Sequence, residues 1–365
     1  MRILVTGAGG FLGWHLRCRL ATYTDHDVVA VDRDTFSGLS ALARDADAII
    51  HVAGINRGTD EEVDAGNAQL AKTVAAAARD AAAPPRLIFA NSIQAERDNP
   101  YGVGKRRAAE VLGAAAADAG VPFVDVLLPN LFGEHGRPGY NSFVATFVHE
   151  VVSGRQPEVS DNQVELLHVQ AAAQALMDGL VGETRTERPR GQHRGVVEVL
   201  SMLEGFDALY RVGEIPALVD DFTTDLFNTY RTAAFEQRGP IRFEKRTDPR
   251  GSLVETVKVH GGGGQTFFST TVPGITRGEH YHERKIERFV VIGGRARIQL
   301  RRLFTDEVLD FDVSGDEPVA IDMPTFWPHN ITNTGDDELY TLFWTDTVFD
   351  PENPDTHPEP VEASS

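Results

Sequence analysis

The 365-residue chain has one cysteine, Cys18, so neither an internal disulfide nor a thiolate metal site is available to it. It has no run of the ~18 consecutive apolar residues that a membrane-spanning helix requires. Positive charge is scarce: 35 Lys+Arg face 54 Asp+Glu, a formal net charge of −19, which argues against binding along a phosphate backbone. The amino-terminal Met1-Arg-Ile-Leu-Val-Thr6 enters a strand-like segment directly, without the apolar core and cleavage site of a secretory leader. The expectation is a cytoplasmic protein with neither nucleic acid nor membrane as partner. With 41% hydrophobic and 24% charged residues, and this length, the chain should form two globular domains.

The two halves are patterned differently. Residues 3–6, 28–32, 48–53, 87–91 and 124–128 are short apolar or β-branched runs separated by long helical stretches, two of them Ala-rich at 71–83 and 107–119. That alternation predicts an α/β doubly wound parallel sheet of the Rossmann type. Residues 182–195 carry Arg185, Arg188, Arg190 and Arg194 among Gly and Pro and read as an exposed loop. A helical stretch near 206–218 follows, and Gln237-Arg-Gly-Pro240 marks the expected boundary. Domains are therefore expected at 1–238 and 241–349. From Ile241 onward short alternating segments at 253–259, 266–272, 288–292, 296–302, 319–322 and 339–344 predict an all-β sandwich or barrel. The remainder, 350–365, holds four prolines and five carboxylates and reads as an extended or disordered acidic tail.

Thr6-Gly-Ala-Gly-Gly-Phe-Leu-Gly13 follows the first strand and opens a helix. Glycine at 7, 10 and 13 suits a tight turn that lets the backbone and a helix N-terminus approach a pyrophosphate. Asp32 closes the second strand about 20 residues on, where a carboxylate receives ribose hydroxyls. Its charge opposes a 2′-phosphate and so favours NAD, whereas Arg33 can grip one, so both NAD(H) and NADP(H) are admitted. Further on, Asn99 and Pro100 suit the cap and first position of a helix, which sets Tyr101 and Lys105 one turn apart on one face. A neighbouring ammonium should draw the phenol towards the working pH. Ser92, ending a strand, can hydrogen-bond the same carbonyl oxygen.

Together with His51-Val-Ala-Gly54 and Pro129-Asn-Leu-Phe-Gly133, these motifs resemble the extended short-chain dehydrogenase/reductase family over roughly residues 1–235. The resemblance implies a catalytic set of Ser92, Tyr101 and Lys105, with Tyr101 exchanging the proton and Asn130 near the sugar. It implies a cofactor-binding set of Gly7, Gly10, Phe11, Leu12, Gly13, Asp32, Arg33, Ala53, Gly54 and Lys105. Val169-Gln-Ala171 departs from the Val-Asp-Asp usual in the family.

In the second half, Gly274-x5-His280-x-His282-x4-Glu287-x6-Gly294 is followed by Pro324-Thr-Phe-Trp-Pro-His329 on a return strand. His280 and His282 project from one face of a strand, and three imidazoles with a carboxylate make a site for Zn, Mn, Fe or Ni. The pattern resembles the cupin family, a jelly-roll barrel, with Phe326 where the second motif usually has glycine. The resemblance implies a divalent metal, foremost zinc, on His280, His282, Glu287 and His329. Asp248-Pro-Arg-Gly-Ser-Leu-Val-Glu255 is similar to the sugar-nucleotide epimerase branch, where Arg250 is implied to hold a diphosphate.

A reductase of this kind fused to such a cupin resembles the bifunctional UDP-sugar reductase/epimerase family of capsular polysaccharide synthesis. Distinctive stretches include Asn91-Ser-Ile-Gln-Ala95, Tyr140-Asn-Ser142 and the Phe349-Asp-Pro351 to Pro354-Asp-Thr356 segment. The implied activity is C3 epimerisation of a UDP-2-acetamido-2,6-dideoxy-4-hexulose by the cupin, with Tyr281, Lys285 and Glu287 as possible proton carriers. Reduction of the C4 ketone with NAD(P)H follows, giving a precursor of N-acetyl-L-fucosamine, and the family implies a homodimer. Two other readings stand beside it: a 3,5-epimerase–reductase of another deoxysugar, and a nucleotide-binding sensor with a non-catalytic cupin. A sensor has no need of Ser92, Tyr101 and Lys105.

Overall fold

The computed structural model describes residues 1–362. The chain divides into two compact units, Met1–Ser142 with Asn162–Gly195, and Phe143–Asp161 with the described residues from Val196 on.

The first unit runs β1 (Arg2–Thr6), α1 (Phe11–Tyr23), β2 (Asp27–Val31), a short α2 (Leu39–Leu42), β3 (Ala48–His51), α3 (Asp60–Arg79), β4 (Arg86–Ser92), α4 (Pro100–Ala119), β5 (Phe123–Leu128) and β6 (Asn130–Phe132). After α5 (Phe143–Val152), which belongs to the second unit, come β7 (Gln163–His168), α6 (Val169–Asp178), β8 (Arg185–Glu187) and β9 (Gln192–Gly195). The main sheet is parallel throughout, in the order β2-β1-β3-β4-β5-β8. Successive residues of a strand face opposite sides. Ile3 and Val5 therefore pack with Leu16 and Leu20 of α1 and Leu176 of α6, while Leu4 packs on the other side with Val74 of α3 and Leu112 of α4. Both faces are apolar, so both are covered by helices. Each fully buried leucine contributes roughly 1.5–3 kcal/mol. Caps bound the two long helices: Thr59 and Glu62 form a capping box on α3, Asn99 caps α4, and Gly120 ends α4 in the left-handed region.

The stretch 182–195 is not the loop expected. Residues 185–187 add an edge strand to the parallel sheet and 192–195 pair with β7. Two of its arginines are paired, Arg185 with Glu187 and the half-exposed Arg188 with Glu96 of the first unit.

The second unit contains α5, α7 (Val196–Tyr210), β10 (Glu214–Ile215), α8 (Asp221–Arg238) and then, among the described residues, only strands and short connections. These strands are β11 (Ile241–Arg242), β12 (Arg246–Asp248), β13 (Gly251–Leu253), β14 (Lys258–Val259), β15 (Gln265–Thr271), β16 (Thr276–Tyr281), β17 (Glu287–Gly293) and β18 (Arg295–Arg301). They continue with β19 (Val308–Ser314), β20 (Val319–Asp322), β21 (His329–Asn333), β22 (Leu339–Thr345) and β23 (His357–Pro358). Two five-stranded sheets, β11-β20-β17-β22-β15 and β19-β18-β21-β16-β23, make up the barrel expected from the alternating pattern. Its core joins Phe289, Ile298, Leu300, Ile321, Ile331 and Phe343.

The contacts divide the chain elsewhere than at the boundary expected near residue 240. Phe235 of α8 lies in the barrel core, Arg231 donates to the Met323 carbonyl at 2.6 Å, and Asn228 donates to that of Arg284 at 2.8 Å. Helix α8 is amphipathic towards the barrel, so the helices before Gln237 go with the strands after it. The segment expected to be a loose tail is also ordered as far as it is described: β23 pairs with β16, and Val361 is fully buried.

Candidate functional site

Two centres can be built from the residues upward, one in each unit. The first lies at the carboxyl ends of the parallel strands, where β1 leads to β2 on one side and β3 on the other, the switch point at which open α/β sheets bind ligands. Gly7 adopts φ +68°, and a Cβ on Gly13 would stand 2.1 Å from the Gly7 carbonyl oxygen. Only glycine allows this turn to fold so tightly onto the start of α1. Phe11 and Leu12 open that helix, whose first amides are the donors for a pyrophosphate. Thr6 Oγ1 accepts from the backbone amides of Val52 and Ala53 and meets His51 Nδ1 at 2.7 Å, so the ends of β1 and β3 are locked together beside the glycines. Asp32 stands just past β2, with Ala8 N–H donating to the neighbouring Val31 carbonyl. Its Oδ1 accepts from the amides of Asp34 and Thr35 and the Thr35 hydroxyl, which orients the exposed carboxylate. Arg33 beside it is exposed.

Ser92 ends β4, and Tyr101 lies in the first turn of α4, one helical turn before Lys105. A Cβ on Gly102 would stand 2.1 Å from the Gln94 carbonyl oxygen and 2.6 Å from that of Arg97, so glycine here lets the start of α4 close onto the segment that follows Ser92. Lys105, almost wholly buried, donates to the Ala90 carbonyl at 2.6 Å and lies near Gly54. Burial lowers its pKa to about 8, against the pull of Asp125, which receives Asn91 Nδ2 at 3.1 Å. Burial also raises Tyr101 to about 12, and the Lys105 ammonium 6.0 Å from its ring centroid does not offset this. The expected lowering of the phenol is thus reversed. A neutral phenol is nevertheless the acid that ketone reduction requires. Asn130 is exposed and donates to the Glu165 carbonyl at 3.3 Å.

The sequence reading missed Asn67, Asn91 and Asp125. Asn67 is buried on α3 and clamps Ile55 through both its amide oxygen and nitrogen, fixing the chain after Gly54. It lies before the Ala-rich stretch expected to be helical at 71–83, so nothing local singled it out.

The second centre draws ligands from both barrel sheets. His280 lies on β16 opposite His329 on β21, His282 immediately follows β16, and Glu287 starts β17. A bulge at Glu279, φ 60°, shifts the register between Gly278 and His280 and turns His280 inward. The ligand atoms of His280, His282, Glu287 and His329 all lie within 4.8 Å of one another. His282 Nδ1 is 2.6 Å from the Asp355 carbonyl and His329 Nδ1 is 3.0 Å from that of Trp327. Each Nδ1 must therefore carry the proton, which leaves the Nε2 lone pairs directed at Glu287 Oε2, 3.0 and 3.5 Å away. Lone pairs facing a carboxylate at such range call for a cation between them. Burial lowers both His280, to about 3, and His282, so both stay neutral. Burial works to raise Glu287, and only positive charge on its imidazole side, whether protons on the His282 and His329 nitrogens or a bound cation in their place, holds it well below the ordinary carboxylate range. Neutral imidazoles and an ionised carboxylate are the donor set of a borderline divalent metal.

Phe326, where glycine was expected, keeps glycine's backbone at φ 58°, fully buried, its amide bonded to the His282 carbonyl at 2.8 Å. Burial of the ring offsets the roughly 1–2 kcal/mol of left-handed strain. Among the candidate proton carriers, Glu287 belongs to the ligand set, Lys285 Nζ is bonded to Pro354 O and Thr356 Oγ1, and Tyr281 packs with Phe326 and His357. Arg250 sits in the exposed β12–β13 hairpin, forked onto Asp248, with no contact to the four ligands.

Comparison with known proteins agrees with this division. Residues 3–180 match the NAD dependent epimerase/dehydratase family, and residues 246–357 match the polysaccharide biosynthesis C-terminal domain. The UDP-2-acetamido-2,6-beta-L-arabino-hexul-4-ose reductase of Pseudomonas aeruginosa is 35% identical over 98% of this chain and 98% of its own. The crystal structure of the capsular polysaccharide assembling protein CapF from Staphylococcus aureus superposes with a TM-score of 0.61 at 30% identity, covering 99% of this chain and 100% of that one. The spore coat polysaccharide biosynthesis protein SpsL of Bacillus subtilis is 26% identical over 30% of this chain and 80% of its own. The two-part arrangement is thus shared along nearly the whole chain, and the chain belongs to the family of NAD dependent epimerase/dehydratase proteins that carry a polysaccharide biosynthesis C-terminal domain.

Proposed function

We propose that this oxidoreductase converts a UDP-2-acetamido-2,6-dideoxy-β-L-arabino-hex-4-ulose in two steps, C3 epimerisation at the barrel centre and C4 reduction at the Ser92–Tyr101–Lys105 centre. The product class is a precursor of N-acetyl-L-fucosamine for capsular polysaccharide. One observation supports the reading: a single chain joins a parallel sheet bearing Ser92, Tyr101 and Lys105 to a barrel bearing a four-donor cluster, and its 35%-identical relative is named for the reduction. When bound, nicotinamide supplies the hydride for C4, and a divalent metal, zinc in this reading, supplies Lewis-acid stabilisation of charge developing on the sugar oxygens.

The order follows from the substrate. A C4 ketone acidifies the C3–H, so inversion through an enediolate must come before the ketone is reduced. At the reductase centre Ser92 holds the carbonyl oxygen and Tyr101 donates its phenolic proton to the oxygen as it becomes an alkoxide. A phenol near 12 is fully protonated at neutral pH and still far more acidic than the alkoxide it serves. Lys105 holds the cofactor ribose and shortens the path by which Tyr101 regains a proton. Asn130 and Arg250 are assigned to the sugar nucleotide, Arg250 through its planar fork on the diphosphate, which requires release of Asp248. The protein acts in the cytoplasm as a homodimer.

The test uses purified protein and the UDP-4-keto sugar in D2O. Deuterium should enter C3 without nicotinamide, and nicotinamide oxidation should accompany C4 reduction when it is added. If neither occurs with any UDP-4-keto hexosamine, the assignment is wrong. Asp32 favours NADH, since its carboxylate is exposed at the end of β2 and its charge opposes a 2′-phosphate. Asp32→Ala should move the NADPH/NADH ratio of kcat/KM towards NADPH on the order of tenfold, read from steady-state kinetics with both cofactors.

A further inference from the structure

The end of the chain makes contacts that nothing in the reductase/epimerase assignment uses. The Asp355 carboxylate accepts three consecutive backbone amides: Glu283 on Oδ1 at 2.8 Å, and Arg284 and Lys285 on Oδ2 at 3.0 and 2.7 Å. Its own backbone, at φ 41°, turns the carbonyl onto His282 Nδ1 at 2.6 Å. Residues 283–285 are the connection between His282 and Glu287, so one side chain determines the spacing of two ligands. The same residue's backbone determines which nitrogen of His282 is left for the centre. The segment is held at its far end too. Glu359 N–H donates to the Glu279 carbonyl and Val361 N–H to the Glu279 carboxylate, next to His280. Buried Arg301 grips Glu359, Pro360 and Val361. Lys285 Nζ returns the contact on Pro354 and Thr356.

We propose that Asp355 is a positioning residue for the His280–His282–Glu287–His329 centre, and that residues 354–361 form a strap that holds three of its four ligands in register. The inference rests on the metal-centre reading given above. The Asp355 carboxylate bonds three adjacent amides of the short stretch between two ligands. Its effect is to remove the freedom of the His282–Glu287 connection. A histidine whose Nδ1–H is fixed by a carbonyl offers Nε2 in one orientation, and loss of such outer contacts commonly weakens metal binding about 10–100-fold.

The experiment compares the full-length wild-type protein with Asp355→Ala and Asp355→Asn, each loaded with Zn2+ or Co2+. Four quantities are read: metal stoichiometry, the rate of metal release to a chromogenic chelator at 25 °C, the Co2+ visible spectrum, and the nicotinamide-dependent reductase activity. Asp355→Ala should release metal at least about tenfold faster and change the Co2+ spectrum, with reductase activity retained. Asp355→Asn, which keeps one acceptor oxygen and the fold, should fall between and carries the test if the alanine variant does not fold. Wild-type release rates and spectra in a folded Asp355 variant overturn the proposal, even if its thermal midpoint drops, since that is what a merely structural clamp would do. A wild-type protein that binds neither metal overturns the metal-centre reading itself, and the strap proposal falls with it.

Discussion

Tyr101→Phe is expected to abolish nicotinamide oxidation while leaving deuterium exchange at C3 intact, and His280→Ala is expected to do the reverse. Replacing the phenol by a phenyl ring removes the proton donor and almost nothing else, because Tyr101 acts through its hydroxyl while its ring keeps the same partly buried position. General acid catalysis of this kind is worth roughly 10²–10⁴-fold, which sets the scale of the loss. His280→Ala deletes one of four ligand atoms that lie within 4.8 Å of each other and unpairs the donor set in the barrel, with no atom of the reductase centre touched. The two activities are read separately, oxidation by absorbance and exchange by mass. An equimolar mixture of the variants should restore complete conversion, because each supplies the step the other lacks. If Tyr101→Phe stopped exchange as well, the division of labour between the units would be wrong.

Asp322→Ala is expected to be the most destabilising single change in the second unit. Arg288 is fully buried and reaches Asp322 through two parallel bonds, Nε to Oδ1 at 2.7 Å and Nη2 to Oδ2 at 2.8 Å. Its remaining nitrogen donates to the Gly213 and Thr256 carbonyls, so each of the three guanidinium nitrogens has an acceptor. The Tyr210 phenol beside the pair is raised well above its ordinary value by burial and then by the Asp322 charge. Removing the carboxylate leaves a cation in the interior with only carbonyl dipoles to hold it, a loss of about 3–5 kcal/mol. The thermal midpoint should fall on the order of 10 °C. Removing both charges with Arg288→Met and Asp322→Ala should recover much of the loss, since a neutral pair carries no unpaired charge. A single variant as stable as wild type would show that water or a rearranged carbonyl compensates.

The residues proposed for both centres could be picked out of the sequence because the chemistry expected of them demands particular residue types at short spacings. Gly7 and Gly13 are required by backbone approach, Tyr101 and Lys105 lie one helical turn apart, and His280, His282 and Glu287 fall within eight positions. Helix and strand periodicity alone place such groups on a common face. The polar residues that support them were not legible. Asn67, Asp125 and Asp355 act on segments 12, 20 and some 70 residues away, and nothing local distinguishes them from solvated polar side chains. The pKa of Tyr101 shows the same limit: a neighbouring lysine is visible from spacing, but the burial that outweighs it is a property of the folded unit.

The sequence by itself determined the parallel-sheet unit and the antiparallel barrel and pointed to the residue sets proposed for both centres, since alternation of apolar positions and short motifs are local properties of the chain. Tertiary structure alone decided where the units divide. The sequence predicts a helical stretch near 206–218 and none over α8, and only packing reveals that Phe235 of α8 belongs to the barrel core. It likewise decided that an acidic, proline-rich end is an ordered strap as far as Glu362. Composition counts its carboxylates as repelling charges, whereas the fold gives Asp355 three backbone amides and Glu359 an arginine, and each contact removes the reason for that part of the chain to stay in water.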